Sequence, residues 1–78
     1  MGVKLKPIII LGQRIRETRK ALGLTQEQLA DKAGIDRSYI GGVERGERNL
    51  TFNVLCEICA ALECDVAKLT KGIPGTAS

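Results

Sequence analysis

The chain has 78 residues, a formal net charge of +3, three cysteines and no histidine. A chain of this length forms a single domain with a small core, which excludes a second domain, and such domains often rely on disulfides, a metal or oligomerisation. Three cysteines cannot all pair within one chain, and without histidine the common zinc sites are incomplete. We therefore expect an oligomer with no bound metal or cofactor.

The N-terminal eleven residues contain two lysines and an apolar run confined to residues 8–11. That run is far shorter than the apolar region of a secretion signal or a membrane span. Three thiols without a secretion signal are typical of a reducing compartment. These features predict a soluble, cytoplasmic protein with no membrane partner.

The basic residues are concentrated in the first part of the chain. Residues 1–49 carry ten basic and six acidic side chains, a net charge of +4, whereas residues 50–78 carry two and three, a net charge of −1. This asymmetry favours one face for a polyanion and another for a different partner. A solvated basic face is an equally common cause of such a pattern.

The first of five predicted helices begins near Pro7, which suits the first turn of a helix because its missing N–H is not needed there. Gly23 is a typical residue after a helix end. The predicted buried stripe, at three- and four-residue spacing, is Leu11, Ile15, Thr18 and Leu22.

Two shorter helices follow. Thr25 and Gln28 form a capping box that begins the second helix, which ends at Gly34. Asp36 is the predicted N-cap of a third helix that reaches about Glu44 or Arg45. Two short helices joined by a glycine-containing turn of three or four residues are typical of a helix-turn-helix.

The packing of that corner is predicted to depend on a few small or apolar residues. Ala30 must be small where the helices cross, and Gly34 must tolerate a left-handed backbone. The side chains expected to meet beneath the corner are Leu29, Ile40 and Val43.

The fourth helix is predicted to begin after Thr51, and a short fifth helix is predicted from Val66 to about Lys71, capped by Asp65. The predicted buried stripe of the fourth helix is Phe52, Leu55, Ile58, Cys59 and Leu62. No strand pattern is present. The prediction is an all-α domain over residues 8–73, between flexible segments at residues 1–7 and 74–78.

The segment LTQEQLADKAGIDRSYIGGVERG, residues 24–46, closely resembles the helix-turn-helix of the lambdoid phage repressor and Cro family. The resemblance extends over residues 8–73 and implies a five-helix, phage repressor-like DNA-binding domain. The run DRSYIGGVERGERNLT, residues 36–51, is most similar to the controller proteins of restriction–modification systems. It implies a dimeric regulator that binds palindromic operators on double-stranded DNA.

In this fold the third helix lies in the major groove, with its N-terminal residues facing base edges. The resemblance therefore assigns base contacts to Arg37 and Ser38, because a guanidinium can donate two hydrogen bonds to guanine. Controllers also reach DNA from the following loop, where the matching residues are Arg48, which points toward the groove, and Asn49.

Contacts to the DNA backbone are expected from Gln26, at the start of the second helix, and from Tyr39, Asn49 and Arg45. Arg45 has an alternative role as the ion-pair partner of Glu47. By the same resemblance, Arg19 and Glu44 match an ion pair that ties the first helix to the third. We therefore assign that pair to structure rather than to DNA binding.

Two features admit more than one interpretation. Gly41 and Gly42 lie inside a predicted helix, where glycine is unfavourable, so they indicate either close approach of the backbone to DNA at Gly42 or tolerance in a well-packed helix. The three cysteines, Cys56, Cys59 and Cys64, fit packing in the core or an interface better than redox sensing or metal binding.

A dimer is expected because one recognition helix contacts too few base pairs to select a site among the roughly 10⁶ competing positions of a genome. The apolar residues left over in the last third of the chain are Val54, Cys64, Val66, Leu69 and Ile73. Some of these close the core, and we expect Val66 and Leu69 at the dimer interface.

The leading hypothesis is a controller-like regulator that activates at low occupancy and represses when its operators fill, so RNA polymerase is a further candidate partner. The alternatives are a phage- or plasmid-type repressor, which usually has additional segments, and an antitoxin-like interaction module with secondary DNA binding, which normally has a partner-binding extension. An enzyme is not expected, because the sequence has no histidine, glycine-rich phosphate loop or paired carboxylates on one face.

Overall fold

The computed structural model describes residues 5–74. Over these residues the chain forms five α-helices: α1 (Pro7–Ala21), α2 (Gln26–Ala33), α3 (Arg37–Glu44), α4 (Phe52–Ala61) and α5 (Val66–Thr70). This part of the chain contains no strand, so the all-α prediction is confirmed. No helix within it combines the length and apolarity needed to cross a membrane.

The predicted domain limits of residues 8 and 73 are close to the ends of the described chain. Helix α1 begins at Pro7, one residue before the expected boundary. Residues 1–4 and 75–78, which make up most of the two segments predicted to be flexible, lie outside the described residues.

Four of the helices begin at a side-chain cap, as predicted. The Thr25 hydroxyl accepts a hydrogen bond from the backbone N–H of Gln28 at 3.0 Å, and the Gln28 amide oxygen accepts one from the backbone N–H of Thr25 at 2.9 Å. Asp36, Thr51 and Asp65 each accept a hydrogen bond from a backbone N–H two or three residues later. These bonds satisfy N–H groups that have no partner within the helix.

The turn between α2 and α3 consists of Gly34, Ile35 and Asp36. Gly34 has φ +69°, a left-handed conformation that glycine adopts without steric cost, and the Ile35 N–H donates back to the Ala30 carbonyl at 2.9 Å. Ala30 is buried at the corner. The turn therefore has the short, glycine-containing form predicted for a helix-turn-helix.

The core lies beneath this corner, where α2 packs on α3 and α4, and α1 packs on α3 and α5. Leu29, Ile40 and Val43 are each 0% exposed, which confirms their predicted meeting point. Other fully or nearly fully buried side chains are Ile15 of α1, Ile58 of α4, Leu62 directly after α4, and Leu69 of α5.

Two residues predicted to be buried are exposed. Leu22 is 45% exposed because α1 ends at Ala21, and the buried face of its last turns carries Arg19 in place of an apolar residue. Phe52 is 66% exposed because it is the first residue of α4, and the packed helices leave most of its ring uncovered. Both errors arise at helix ends, where a repeating pattern extends past the core.

A close crossing of α1 and α3 depends on Gly12, which the sequence pattern did not identify. A Cβ atom at Gly12 would overlap the Val43 carbonyl oxygen and lie 2.9 Å from the Glu44 carbonyl oxygen. Because these neighbours are backbone atoms, they could move only if one helix shifted. Gly12 therefore sets the distance at which α1 supports α3.

Candidate nucleic-acid interface

The first turn of α3 is capped and exposed. The Asp36 carboxylate accepts a hydrogen bond from the Ser38 backbone N–H at 3.0 Å, which orients this turn. Arg37, the first residue of the helix, is exposed and takes part in neither of the two ion pairs found among residues 5–74. Its guanidinium has the parallel N–H groups that match O6 and N7 of guanine.

Ser38 completes the cap with its side chain, because its hydroxyl also donates to the Asp36 carboxylate. Hydrogen bonds from the Ser38 hydroxyl and backbone N–H lower the pKa of Asp36 below its ordinary value of 3.8. Since the hydroxyl proton is engaged, the oxygen lone pairs of Ser38 are the groups left for DNA. A base contact by Ser38 would thus accept a hydrogen bond from an amino group of adenine or cytosine.

The side chain of Arg48 lies across α3. Its guanidinium carbon is 5.4 Å from the centroid of the Tyr39 ring, within the range of a cation–π interaction. Its Cγ atom is 2.9 Å from the position that a Cβ atom would occupy at Gly42. The space over Gly42 is therefore filled by Arg48 of the same chain, so the close approach of DNA to the helix backbone considered from sequence is obstructed there.

Tyr39 and Asn49 are neighbours at this surface. The Tyr39 hydroxyl is 3.5 Å from the Asn49 carbonyl oxygen, a long hydrogen bond, and Tyr39 is half-buried while Asn49 is exposed. Arg48, Tyr39 and Asn49, which the resemblance assigned to DNA contacts, are thus neighbours on one surface, and the contacts themselves stay a prediction.

Arg45 follows the last residue of α3 and lies close to Gly41. Its Nε donates to the Glu47 carboxylate at 3.0 Å, and the two side chains are 60% and 61% exposed. Of the two roles left open from sequence, the ion pair with Glu47 is the one formed in this structure. Because an exposed pair contributes only about 0–1 kcal/mol, it leaves Arg45 able to exchange Glu47 for a phosphate.

A second ion pair holds α3 from beneath. Arg19 donates two hydrogen bonds to the Glu44 carboxylate, at 2.6 Å from Nε and 2.9 Å from Nη2, and the side chains are 9% and 3% exposed. Arg19 also donates to the Leu24 carbonyl at 2.8 Å. The hydrogen bond to Glu44 raises the pKa of Arg19 above its ordinary value. Arg19 and Glu44 thus form the ion pair that the resemblance implies, and it is buried.

Gln26 joins this buried pair to the surface. Its amide nitrogen donates to Glu44 at 3.0 Å, and the side chain is half-buried at the start of α2. The amide keeps a second N–H group, and the N-terminus of α2 adds partial positive charge. The phosphate contact predicted for Gln26 stays a prediction, but the bond to Glu44 orients the amide that would make it.

The two residues predicted for the dimer interface differ in burial. Leu69 is 1% exposed and packs in the core of its own chain, so the expectation that it meets a partner is wrong. Its hydrophobic surface is already used, because α5 packs on both α1 and α4. Val66 is only partly buried and keeps surface for a partner. Phe52, at 66%, is the most exposed large apolar side chain among residues 5–74, although the sequence pattern had assigned it to the core.

Of the three free cysteines, Cys59 is buried in the core and Cys56 and Cys64 are half-buried. Burial raises the pKa of the Cys59 thiol to about 11, which keeps it protonated and unreactive near neutral pH. The packing role expected for Cys59 matches this environment.

These features define a helix-turn-helix domain with an exposed, basic recognition surface on α3 and the loop that follows it. A helix-turn-helix family model matches residues 15–69. The chain is 47% identical to the control protein C.SmaI of Serratia marcescens over 60 residues, which cover 77% of this chain and 71% of that protein.

Solved structures agree with this match. The restriction–modification controller protein C.AhdI from Aeromonas hydrophila is 47% identical with a TM-score of 0.78, covering 80% of this chain and 94% of that chain. The controller protein C.Esp1396I, solved as a tetramer with its natural 35 base-pair operator, is 38% identical with a TM-score of 0.76, covering 81% and 83%. The chain belongs to the helix-turn-helix family of restriction–modification controller proteins.

Proposed function

We propose that this protein is a transcriptional regulator of the restriction–modification controller type, which binds a palindromic operator in double-stranded DNA as a homodimer. The observation that carries the proposal is the exposed Arg37 at the capped N-terminus of α3, on a helix supported by a buried ion pair. The operator complex of the similar controller C.Esp1396I supports the same role for this chain.

Homodimerisation follows from the size of the recognition surface. One α3 helix reaches about half of a typical operator, and a two-fold axis would place two such helices about 34 Å apart, one turn of DNA. Arg37, Ser38 and Arg48 would then contact base edges, while Gln26, Tyr39 and the loop residues contact the strand backbone. These assignments are proposals that rest on the family and on the exposure of the side chains.

Selection of bound fragments from a random DNA pool tests the proposal directly. We expect an inverted repeat with guanines in each arm, because Arg37 matches the guanine edge. A salt titration with random duplex should give a log–log slope of about −7, the value for about four phosphate contacts per subunit in a dimer. Recovery of sites without dyad symmetry, or a monomer that ignores DNA at low salt, would contradict the proposal.

The dimer surface is proposed to include Phe52 and Val66. Complete burial of an exposed phenylalanine contributes about 1.5–3 kcal/mol, so Phe52→Ser should raise the dimer dissociation constant by at least roughly 10-fold. Sedimentation equilibrium measures the shift, and Leu22→Ser is the matched control because Leu22 is also an exposed apolar residue at a helix end. An equal effect of both variants would argue against a specific role for Phe52.

We also propose that the protein acts in the cytoplasm and that RNA polymerase is its second partner. A DNA ligand and three unpaired thiols both fit the cytoplasm. Transcription in vitro from a promoter that carries the selected operator should rise at low protein concentration and fall as the operators fill. A decrease at every concentration would indicate simple repression without a polymerase contact.

A further inference from the structure

The recognition helix lacks side chains at two adjacent positions of its exposed face. Gly41 and Gly42 lie one turn after Arg37 and Ser38, on the same sides of α3, because residues four apart share a helix face. Both glycines are nevertheless buried, since the arginines that follow the helix fold back over them. Side chains from the end of the helix and the loop therefore cover the surface that residues 41 and 42 leave empty.

The cover over Gly42 is close. The atoms of Arg48 nearest to a Cβ atom at position 42 would be Cγ at 2.9 Å, Nε at 3.5 Å and Cδ at 3.8 Å. The Cγ atom belongs to the middle of the side chain, so the whole of Arg48 would have to move to admit a methyl group. Its guanidinium is held at the other end by the Tyr39 ring. Gly42 and Tyr39 therefore together hold the Arg48 side chain in place.

The cover over Gly41 is looser. A Cβ atom there would lie 3.2 Å from Nη1 of Arg45 and 3.6 Å from Oε1 of Gln26. Nη1 is the far end of a flexible side chain that is 60% exposed, so it can shift at little cost. Two neighbouring glycines in one helix thus differ in what a methyl group would displace, which makes each a control for the other.

We propose that Gly42 is a specificity-determining position of the DNA-binding surface, and that it acts by seating Arg48 where its guanidinium can reach guanine in the major groove. The inference rests on the proposed function. At this turn of α3, the base is then contacted by Arg48 from the loop, in place of a side chain on the helix itself. Any residue larger than glycine at position 42 displaces that arginine.

The test is a double-mutant cycle on the selected operator, with Gly42→Ala, Arg48→Ala and the double variant. Each single variant removes the arginine–guanine contact in both half-sites of the dimer, and each lost contact weakens binding by about 5-fold or more, so the operator complex should be at least roughly 25-fold weaker. The double variant should be no weaker than Arg48→Ala, because Gly42 acts through Arg48. Gly41→Ala gains the same helix propensity and should stay within about 3-fold of the wild type.

A second measurement separates recognition from folding. Replacing the guanine that faces Arg48 by 7-deazaguanine removes N7, so it should weaken the wild-type complex and leave the Gly42→Ala complex unchanged. Melting of each variant without DNA should show Gly42→Ala to be folded, since alanine is favoured over glycine in a helix.

Two outcomes would overturn the inference while leaving the proposed function intact. One is Gly42→Ala binding the operator as tightly as the wild type. The other is an equal loss from Gly42→Ala with and without Arg48, which would indicate direct approach of DNA to the helix. Failure of the wild type to prefer any operator over random duplex would instead contradict the proposed function itself.

Discussion

Two ion pairs at the end of the recognition helix show how neighbouring charges acquire different roles. Glu44 and Arg45 are consecutive residues, but Glu44 is paired with Arg19 inside the fold, whereas Arg45 is paired with Glu47 in solvent. The first pair is 9% and 3% exposed and the second 60% and 61%. A buried charge that loses its partner is costly, whereas an exposed charge can change partners freely. The inner pair therefore supports α3, whereas Arg45 of the outer pair can exchange its partner.

The largest expected effect comes from breaking the inner pair. Glu44→Gln or Arg19→Met leaves a buried charge unpaired, which lowers the free energy of unfolding by about 3–5 kcal/mol. Thermal unfolding should therefore show Tm lowered by at least roughly 12 °C. The double variant Arg19→Met/Glu44→Leu should melt above either single variant, because no unpaired charge is left. A changed operator preference in Glu44→Gln with unaltered melting would contradict the structural role.

The next effect concerns a charge that belongs to neither pair. Arg37→Ala removes one contact in each arm, at about 5-fold or more apiece, so it should weaken the operator complex by at least roughly 25-fold and relax the preference for guanine in both arms. The free energy of unfolding of Arg37→Ala should differ from that of the wild type by less than about 0.5 kcal/mol, because Arg37 is exposed. The measurements are binding to the selected operator and its guanine-substituted variants, with Arg16→Ala, an exposed arginine of α1, as the control. An equal loss for both variants would mean that Arg37 contributes charge only.

A smaller effect is expected at the outer pair. Glu47→Gln should alter the free energy of unfolding by less than about 0.5 kcal/mol. It should also tighten binding to random duplex, because it removes a negative charge that pairs with Arg45 and would compete with a phosphate for it. Arg45→Gln should reduce the salt slope of a dimer by about 2, one phosphate contact per subunit. If Arg45→Gln leaves the slope unchanged, Arg45 serves only its pair with Glu47.

The smallest effect is the pH dependence of the α3 cap. Hydrogen bonds from Ser38 lower the pKa of Asp36 in the folded protein. The stability that the ionised Asp36 carboxylate adds to the fold is therefore complete above pH 3.8 and is lost as the pH falls through the lowered pKa. Thermal unfolding between pH 6 and pH 2 should therefore show a steeper fall in Tm for the wild type than for Asp36→Asn. Asparagine caps a helix without titrating. Identical profiles for the two proteins would exclude a contribution from Asp36.

The helix limits and the nature of the corner were predicted from sequence because they depend on neighbours within a few residues. The helix caps bind backbone N–H groups two or three positions away; these caps are Thr25, Asp36, Thr51 and Asp65. Gly34 adopts the left-handed backbone conformation that the turn requires. The Arg19–Glu44 pair was predicted through the family resemblance, which carries tertiary information that local pattern lacks.

Burial at the helix ends was predicted less well. Leu22 and Phe52 follow the apolar spacing of their helices but lie beyond the core, and Leu69 was assigned to a partner although its own chain buries it. Periodicity gives the face on which a residue lies, but not whether another helix covers it.

The sequence by itself therefore determined the helices, their caps and the short turn of the helix-turn-helix, because these arise from contacts along the chain. Only the tertiary structure decided that Gly12 admits the close crossing of α1 and α3, and that Gly42 leaves room for Arg48. Those outcomes depend on which atoms from distant parts of the chain occupy the same few ångströms, and residue spacing carries no such information.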